Sequence, residues 1–571
     1  MSILQPVLTF LLVLVIFNLM IIVHELGHFL AARWRGLVIE EFGIWFGKPL
    51  WKKKFGGVWY SLGTIPFGGF VKLPQMAAMD TVEGATETPS DQLPHATPLS
   101  KIIVAFAGPL FSFLLAVFFA IIVYTVGKPV TESEMTTTIG AIQDKIVIKG
   151  QEIESPAKAA TTADGQHLQP GDKILSIDGF PVTHWAGMGR DSVQWRIVSS
   201  EGETLDLRVQ RGNEVLEFHP KPVIPDTSMW RRKALRQIGI EGAAAPVVTK
   251  IDKGSTAEQA NLREGDVIVA ANGKHIYTVA DLFEAEQNSP ITLTVQRNGK
   301  DVEVGPINAK NAIIFDVVKD SPAAKAGVKP EDQVVAINGQ PFSSAAKFTD
   351  LIKANGAKPL TVDLLRDGKP LQLTMTPAPL KDENAAQQDD KPHIGVKWAN
   401  NFDFSVDPRG VSRLDFPTPP QQLEKAAMSI VDTVSTIASR KSHVGIQQVG
   451  GAVMMMRTYY AMLQIKDGWR LVLWFSVILN VNLAILNMLP IPPLDGSHIT
   501  LSVIEAIRRR PVNVKLVEIV QTVCTVAIIG FMLFICFYDV GDLEIFPGSS
   551  HPPKTVTATP APSTPVPAAQ H

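Results

Sequence analysis

Four long apolar stretches constrain this chain more than any other feature: Val7 to Leu30, Ile102 to Val126, Leu471 to Leu489 and Leu516 to Phe537. Each meets the length of about 20 mainly apolar residues needed to cross a hydrocarbon core. Lipid offers no hydrogen bonds to a backbone, so a continuous apolar run of this length implies a helix that satisfies its own amides. With 571 residues, 46% hydrophobic, and a mean hydropathy of +0.14, the chain fits neither a purely soluble enzyme nor a many-span transporter. A few spans plus a large soluble part give this average. The first stretch is too long for a cleavable signal peptide, has no Lys or Arg before it and carries a polar motif, and it reads as a retained span.

Basic residues near the span ends set the orientation. Arg33, Arg35, Lys48, Lys52, Lys53, Lys54 and Lys101 lie between spans one and two, and Arg508, Arg509, Arg510 and Lys515 between three and four. Both loops are expected to be cytoplasmic, and the segment from Gly127 to Arg470 outside. A net charge of −2 gives no reason to invoke nucleic acid. Cys524 and Cys536 fall in one apolar stretch; on a helix they would be roughly 18 Å apart, too far for a mutual disulfide.

The long segment repeats internally. "LQPGDKILSIDGFPV", "LREGDVIVAANGKHI" and "VKPEDQVVAINGQPF" align so that Asp172, Asp266 and Asp332 correspond, as do Gly179, Gly273 and Gly339. Each is a turn, a short apolar strand and an Asp-Gly or Asn-Gly hairpin signal. Small-residue helical turns, "GSTAEQANL" and "SPAAKAGV", precede the second and third copies. The copies resemble PDZ domains of the bacterial protease-associated type, which implies peptide ligands caught by strand addition and carboxylate capture, or modules that only space and shield. Beyond them, "KDENAAQQDDKP" reads as a polar linker, and Gln421 to Ser439 as a helix with Leu423, Ala427, Ile430, Val434 and Ile437 near one face. The Pro, Thr and Ala-rich end from Pro547 reads as disordered.

The chemistry lies in the first span, in "NLMIIVHELGHFLAARW". His24 and His28 are four residues apart, so a helix projects both imidazoles from one face with spacing suited to a single zinc ion, and Glu25 beside them can accept a proton from water. Ionisable residues within a span are expensive and usually functional. A catalytic zinc needs a third ligand and an open position for water. Asp495 in "NMLPIPPLDGSHIT" is the best candidate, because Pro490, Pro492 and Pro493 break the helix and Gly496 permits a tight turn. His498 is the rival, with a supporting role the alternative for it.

Taken in order, "HELGH", "GTIPFGGFVKLP", "AGPLFSF", the PDZ insert and "NLAILNMLPIPPLDGSH" resemble the site-2 protease family of intramembrane metalloproteases, in its bacterial RseP-like group. The resemblance implies a multi-span α-helical membrane protein: about four transmembrane helices with a membrane-associated β-hairpin region, plus extracytoplasmic PDZ-like domains. It implies that His24, His28 and Asp495 hold Zn2+ and that Glu25 is the catalytic base. Phe42 to Leu73, with Gly68 and Gly69, matches the region whose edge is thought to hold substrate extended, and Asn482 and Asn487 match asparagines used near the substrate backbone. The expected substrates are transmembrane segments of single-span proteins, such as anti-sigma factors and remnant signal peptides, cut in a bacterial inner membrane with the site toward the cytoplasm. The departures are Ser112 where relatives often carry Asn, Gly450-Gly451 where Gly-Pro is common, and a third PDZ copy. The expected layout is a core half over 1–127, PDZ-like modules over 138–225, 238–308 and 311–380, a linker and amphipathic helical region over 381–470, the second core half over 471–546 and a tail over 547–571. A catalytically silent PDZ adaptor would predict a damaged motif, and a zinc transporter polar residues spread along several spans; neither pattern is present.

Overall fold

The computed structural model describes residues 4–76, 93–379 and 393–542, apart from short stretches within the last two. The polar linker and the tail from Pro547 lie outside the described residues. Among the described residues, four helices are long and apolar enough to cross a membrane: α1 (Leu4–Trp34), α2 (Pro98–Val126), α5 (Trp469–Asn487) and α7 (Val514–Gly541). Their outward faces carry exposed Leu, Val, Ile and Phe, as expected where the solvent is lipid. α2 begins where Thr97 accepts the Ser100 amide and Pro98 takes the first turn, and it ends at Gly127. Three further helices pack among them: α3 (Pro419–Ala438), α4 (Ala452–Leu463) and α6 (Asp495–Arg508).

The sequence leaves open whether α3 lies on the membrane surface or against the spans. It packs on the spans, with Ala426 buried against Ala116, Ala120, Val477 and Val481. Gln422 donates to the Ala120 carbonyl at 3.0 Å. Val434, expected on the buried face, is exposed. α4 is fixed differently: Asp539 of α7 accepts the Gly451 and Met454 amides at its start. A proline at position 451 could not donate the first of these bonds, which gives the Gly450-Gly451 departure a local reason.

The glycine-rich segment is a four-stranded sheet rather than a lone hairpin. Its strands are β1 (Glu41–Phe46), β2 (Trp51–Phe55), β3 (Val58–Leu62) and β4 (Ile65–Lys72), in the order β2-β3-β1-β4. β2 and β3 form the hairpin, β1 runs parallel to β3, and β4 is an edge strand packed along α1. Phe29, Ala32, Ile39, Phe42, Val58, Val71 and Val104 form the core that joins sheet to helices. The Trp45 indole reaches Asn18, near the middle of α1, at 2.6 Å. The sheet therefore enters membrane depth, which non-helical backbone does only where protein or a cavity surrounds it.

A two-stranded neck, β5 (Lys128–Val130) paired with β6 (Arg413–Asp415), leads to the three modules. Each module has its own core, but their boundaries differ from the expected ones. The first runs on to the strand Ile240–Gly242, which pairs with Ile139–Ile142, and Ile238 is buried in its core. The second is closed by Phe402–Ser405 pairing with Val247–Ile251, and the third by Val396–Asn400 pairing with Lys310–Val317. Residues 396–405, expected in the linker region, are thus strands of two modules, and the third module is inserted into the second. Local pattern cannot assign a short closing strand whose partner lies far upstream in sequence.

The repeat also has a physical core. Asp172, Asp266 and Asp332 are each buried and bound by one arginine: Arg211, Arg297 and Arg366. Each also accepts the amide three residues before it. Burial alone would raise the Asp332 carboxyl, but the bonds from Arg366 and the Lys329 amide outweigh it and hold the group below the ordinary carboxylate range. A depressed folded pKa gives stability that is present above the unfolded value of about 3.9 and lost as pH falls through the folded one. Asp332→Ala should destabilise the third module by about 3 kcal/mol near pH 7, since it removes the buried carboxylate that binds both Arg366 and the Lys329 amide, and the difference from the parent should shrink below pH 4. Limited proteolysis in graded denaturant reads this; an equal gap at pH 3 and pH 7 would remove the pair from the explanation.

Candidate active site

α1 presents His24 and His28 one turn apart, and the first turn of α6 presents Asp495 between them. His24 Nε2 and His28 Nε2 are 3.3 Å apart. Asp495 Oδ2 lies 3.2 Å from His24 Nε2, and Oδ1 lies 3.3 Å from His28 Nε2. Ligand atoms at about 2.0–2.1 Å from a tetrahedral ion are roughly 3.3 Å from one another, so this triangle has the dimensions of one zinc face. The other ring nitrogens are both held by α2. His28 Nδ1 donates to the Val104 carbonyl at 2.8 Å, and His24 Nδ1 meets Ser112 Oγ at 3.0 Å. The Val104 carbonyl can only accept and so puts the proton on His28 Nδ1; with Ser112 accepting from His24 Nδ1 in the same way, both Nε2 lone pairs point at the same space. Buried Asp495 Oδ2, though near His24, takes no well-aligned hydrogen bond. Facing lone pairs and an orphaned carboxylate oxygen call for a cation between them.

Glycines let the helices come this close. A Cβ on Gly108 would lie 2.2 Å from His28 Nε2, and one on Gly27 would lie 2.4 Å from the Ala107 carbonyl oxygen. At Gly496 a Cβ would meet the Met488 carbonyl oxygen at 2.2 Å, so only glycine allows α6 to fold back on the end of α5 and deliver Asp495. Lys101 of α2 and Glu505 of α6, 3.0 Å apart, tie α6 to the same helix that orients both imidazoles.

Glu25 is partly exposed beside the triangle, and its stem rests against β4: a Cβ on Gly69 would be 2.8 Å from Glu25 Cγ. Gly68, left-handed at φ 79°, sits under the Phe46 ring. Asn482 keeps a buried side-chain oxygen without a partner, and Asn487 ends α5 just before the turn to Asp495. His498 is buried one turn further along α6, outside the three-ligand cluster formed among the described residues by His24, His28 and Asp495. In the sequence Ser112 stands out only as a departure from relatives; its contact with His24 depends on how two helices cross. Asn480 is buried with an unpartnered oxygen, and a polar residue midway along a span is the sequence signal that marks it.

An HExxH helix and an aspartate brought to one depth among membrane spans define an integral-membrane metallopeptidase. The chain belongs to peptidase family M50, the site-2 proteases, whose profile matches residues 11–531. The family is zinc-dependent, and the donor set fits that ion; the protein is a zinc metalloendopeptidase. Among similar proteins, Regulator of sigma-E protease RseP of Escherichia coli K12 is 24% identical over 545 residues, covering 91% of this chain and 96% of its own. Protease RseP of Yersinia pestis is 25% identical over 551 residues, covering 94% and 98%. A PDZ domain of an SdrC-like protein from Listeria monocytogenes matches 16% of this chain and 87% of its own length, at 20% identity and a TM-score of 0.14.

Proposed function

We propose that this protein cuts peptide bonds within transmembrane segments of single-span proteins in a bacterial inner membrane, with His24, His28 and Asp495 holding zinc and Glu25 acting as base. The observation that carries the reading is the equal-sided ligand triangle beside Glu25, at the foot of a sheet edge. A substrate helix hides its carbonyls in its own hydrogen bonds and has to unwind before attack. The free edge of β4 offers the released backbone N–H and C=O groups new partners, and Asn482 offers another, offsetting several kcal/mol for each group left bare in lipid. Zinc, when bound, lowers the pKa of a coordinated water from about 15.7 toward 7 and polarises the scissile carbonyl. Glu25 accepts the water proton and returns it to the leaving amine. The Val104 carbonyl holds His28 in its ligand tautomer, and Ser112 orients the His24 ring by accepting from its Nδ1. Cleavage of a single-span reporter by purified protein, stopped by a chelator and restored by zinc, tests the reading.

The orientation belongs to the same proposal. The site and the neck lie at opposite ends of α2, so basic loops on the cytoplasmic side put the modules outside. In a background with Cys524 and Cys536 changed to Ser, a cysteine at Gln92 should resist an impermeant thiol reagent in intact cells, and one at Asn298 should react. The reverse pattern would overturn the orientation.

The modules are read as a filter on ectodomain size. A second role, peptide capture, is favoured by one observation: left-handed Gly239 and Gly395 (φ 82° and 80°) stand at the start of the closing strands of the first and third modules. Such a turn directs backbone amides outward, a geometry suited to a carboxylate. The closing strand of the second, Phe402–Ser405, contains no glycine.

A further inference from the structure

Trp45 breaks a rule of its own strand. Its φ of 68° lies in the left-handed region, where a bulky residue is an outlier, and among the described residues the other non-glycine positions with positive φ are Asp, Asn, Glu and Arg. Such a conformation persists only where the surroundings impose it. Here the Trp45 indole N–H donates to Asn18 Oδ1 at 2.6 Å, while Asn18 itself is buried and donates to the Leu14 carbonyl at 2.7 Å. The oxygen and the nitrogen of the amide therefore each have a partner, and a polar side chain near mid-span has its reason in this contact.

The consequence falls on the reaction centre. Asn18, Ile21 and Glu25 lie on one stripe of α1, and that stripe meets the sheet: Asn18 takes Trp45, while Ile21 and Glu25 both take Gly69. Trp45 also marks the break in register between β1 and β4, with Ile44 opposite Gly69 on one side and Phe46 opposite Ile65 on the other. A single residue of β1 thus stands against Pro66, Phe67 and Gly68 of β4. Past the break, Phe46 stacks on Phe70 with ring centroids 6.2 Å apart and covers Gly68. The bulge and the clamp together decide how far along α1 the edge of β4 sits.

We infer that Trp45, clamped by Asn18, is a positioning residue that fixes the height of the β4 edge against Glu25 and so selects which bond of an extended substrate is cut. This rests on the proposed role of Glu25 and of the sheet edge. A purely structural anchor would alter the amount of folded enzyme; a register device alters the position of the cut.

The test compares the full-length protein with Asn18→Leu, Trp45→Phe, the double variant and Trp45→Gly, on one single-span reporter. Trp45→Gly keeps the left-handed backbone without cost and removes only the anchor, so it reports even where another variant folds poorly. Product termini are read by mass spectrometry, kcat and KM are measured separately, and zinc content is determined. Expected are a second cleavage site one or two residues from the first, kcat lower by about ten- to hundredfold, little change in KM and full zinc. The double variant should be no worse than the worse single one, because both remove the same bond. One unchanged cut bond in all variants, or losses that multiply in the double, would overturn the inference. Cleavage by Glu25→Gln would overturn the reading beneath it instead, so the two failures are distinguishable.

Discussion

Glu25→Gln should lower cleavage of a transmembrane reporter by two to four orders of magnitude, about the range assigned to a general base, while the purified protein still binds one zinc per chain. The amide keeps the size of the side chain and its packing on Gly69 but cannot take a proton. Asp495→Ala should fail for a different reason. Two imidazoles alone are a poor ligand set for catalytic zinc, and the substitution removes the group 3.2–3.3 Å from both Nε2 atoms, so metal and activity should be lost together. His498→Ala should retain zinc, since His498 is not in the ligand cluster. Metal analysis beside the reporter assay separates these outcomes. Full turnover by Glu25→Gln would remove the base, and zinc retained by Asp495→Ala but lost from His498→Ala would transfer the third-ligand role.

What sequence alone conveyed follows from the range of each interaction. The four spans were legible to within a few residues at most of their ends, because membrane thickness acts on a contiguous run. His24 and His28 were legible because helical geometry alone brings residues four apart to one face. The pairing of Asp495 with them needed only that two span ends lie at the same depth. Gly108 under His28, Ser112 behind His24 and Asn18 beneath Trp45 were not legible, since each depends on the crossing of elements distant in sequence and leaves no periodic trace. The nested modules are the extreme case: Phe402–Ser405 completes a sheet begun at Val247–Ile251, and strands of four and five residues after a polar linker carry no mark of where they return.

That nesting decides how the size filter has to be tested. Excision ending near Asp382 would strand residues 396–405 without the sheets they close. The natural boundary is the neck, where Val130 pairs with Arg413 and Lys128 with Asp415, so residues 131–412 can be replaced by a short flexible link between β5 and β6. The modules are not loosely tethered there. Arg190 of the first module pairs with buried Asp432 of α3, and Arg232, between that module's strands Glu214–Phe218 and Ile240–Gly242, binds Asp539 of α7 and Asp542 just past its end. Lys128 in the neck lies over the Trp474 ring of α5 at 4.6 Å. In the proposed filter, a bulky ectodomain approaching the spans from this side would meet a mass clamped above them, and a trimmed one would pass beneath. Removing the modules deprives Asp432 of Arg190, so the excision should carry Asp432→Asn. The excised protein is expected to cut an untrimmed single-span substrate nearly as fast as a trimmed one, whereas the intact protein cuts only the trimmed form; Glu25→Gln in the excised protein should remain inactive. If the modules instead deliver substrate through the turns at Gly239 and Gly395, excision should slow the trimmed substrate and leave the untrimmed one uncut. Matched rates for both substrates before and after excision would refute filter and delivery alike.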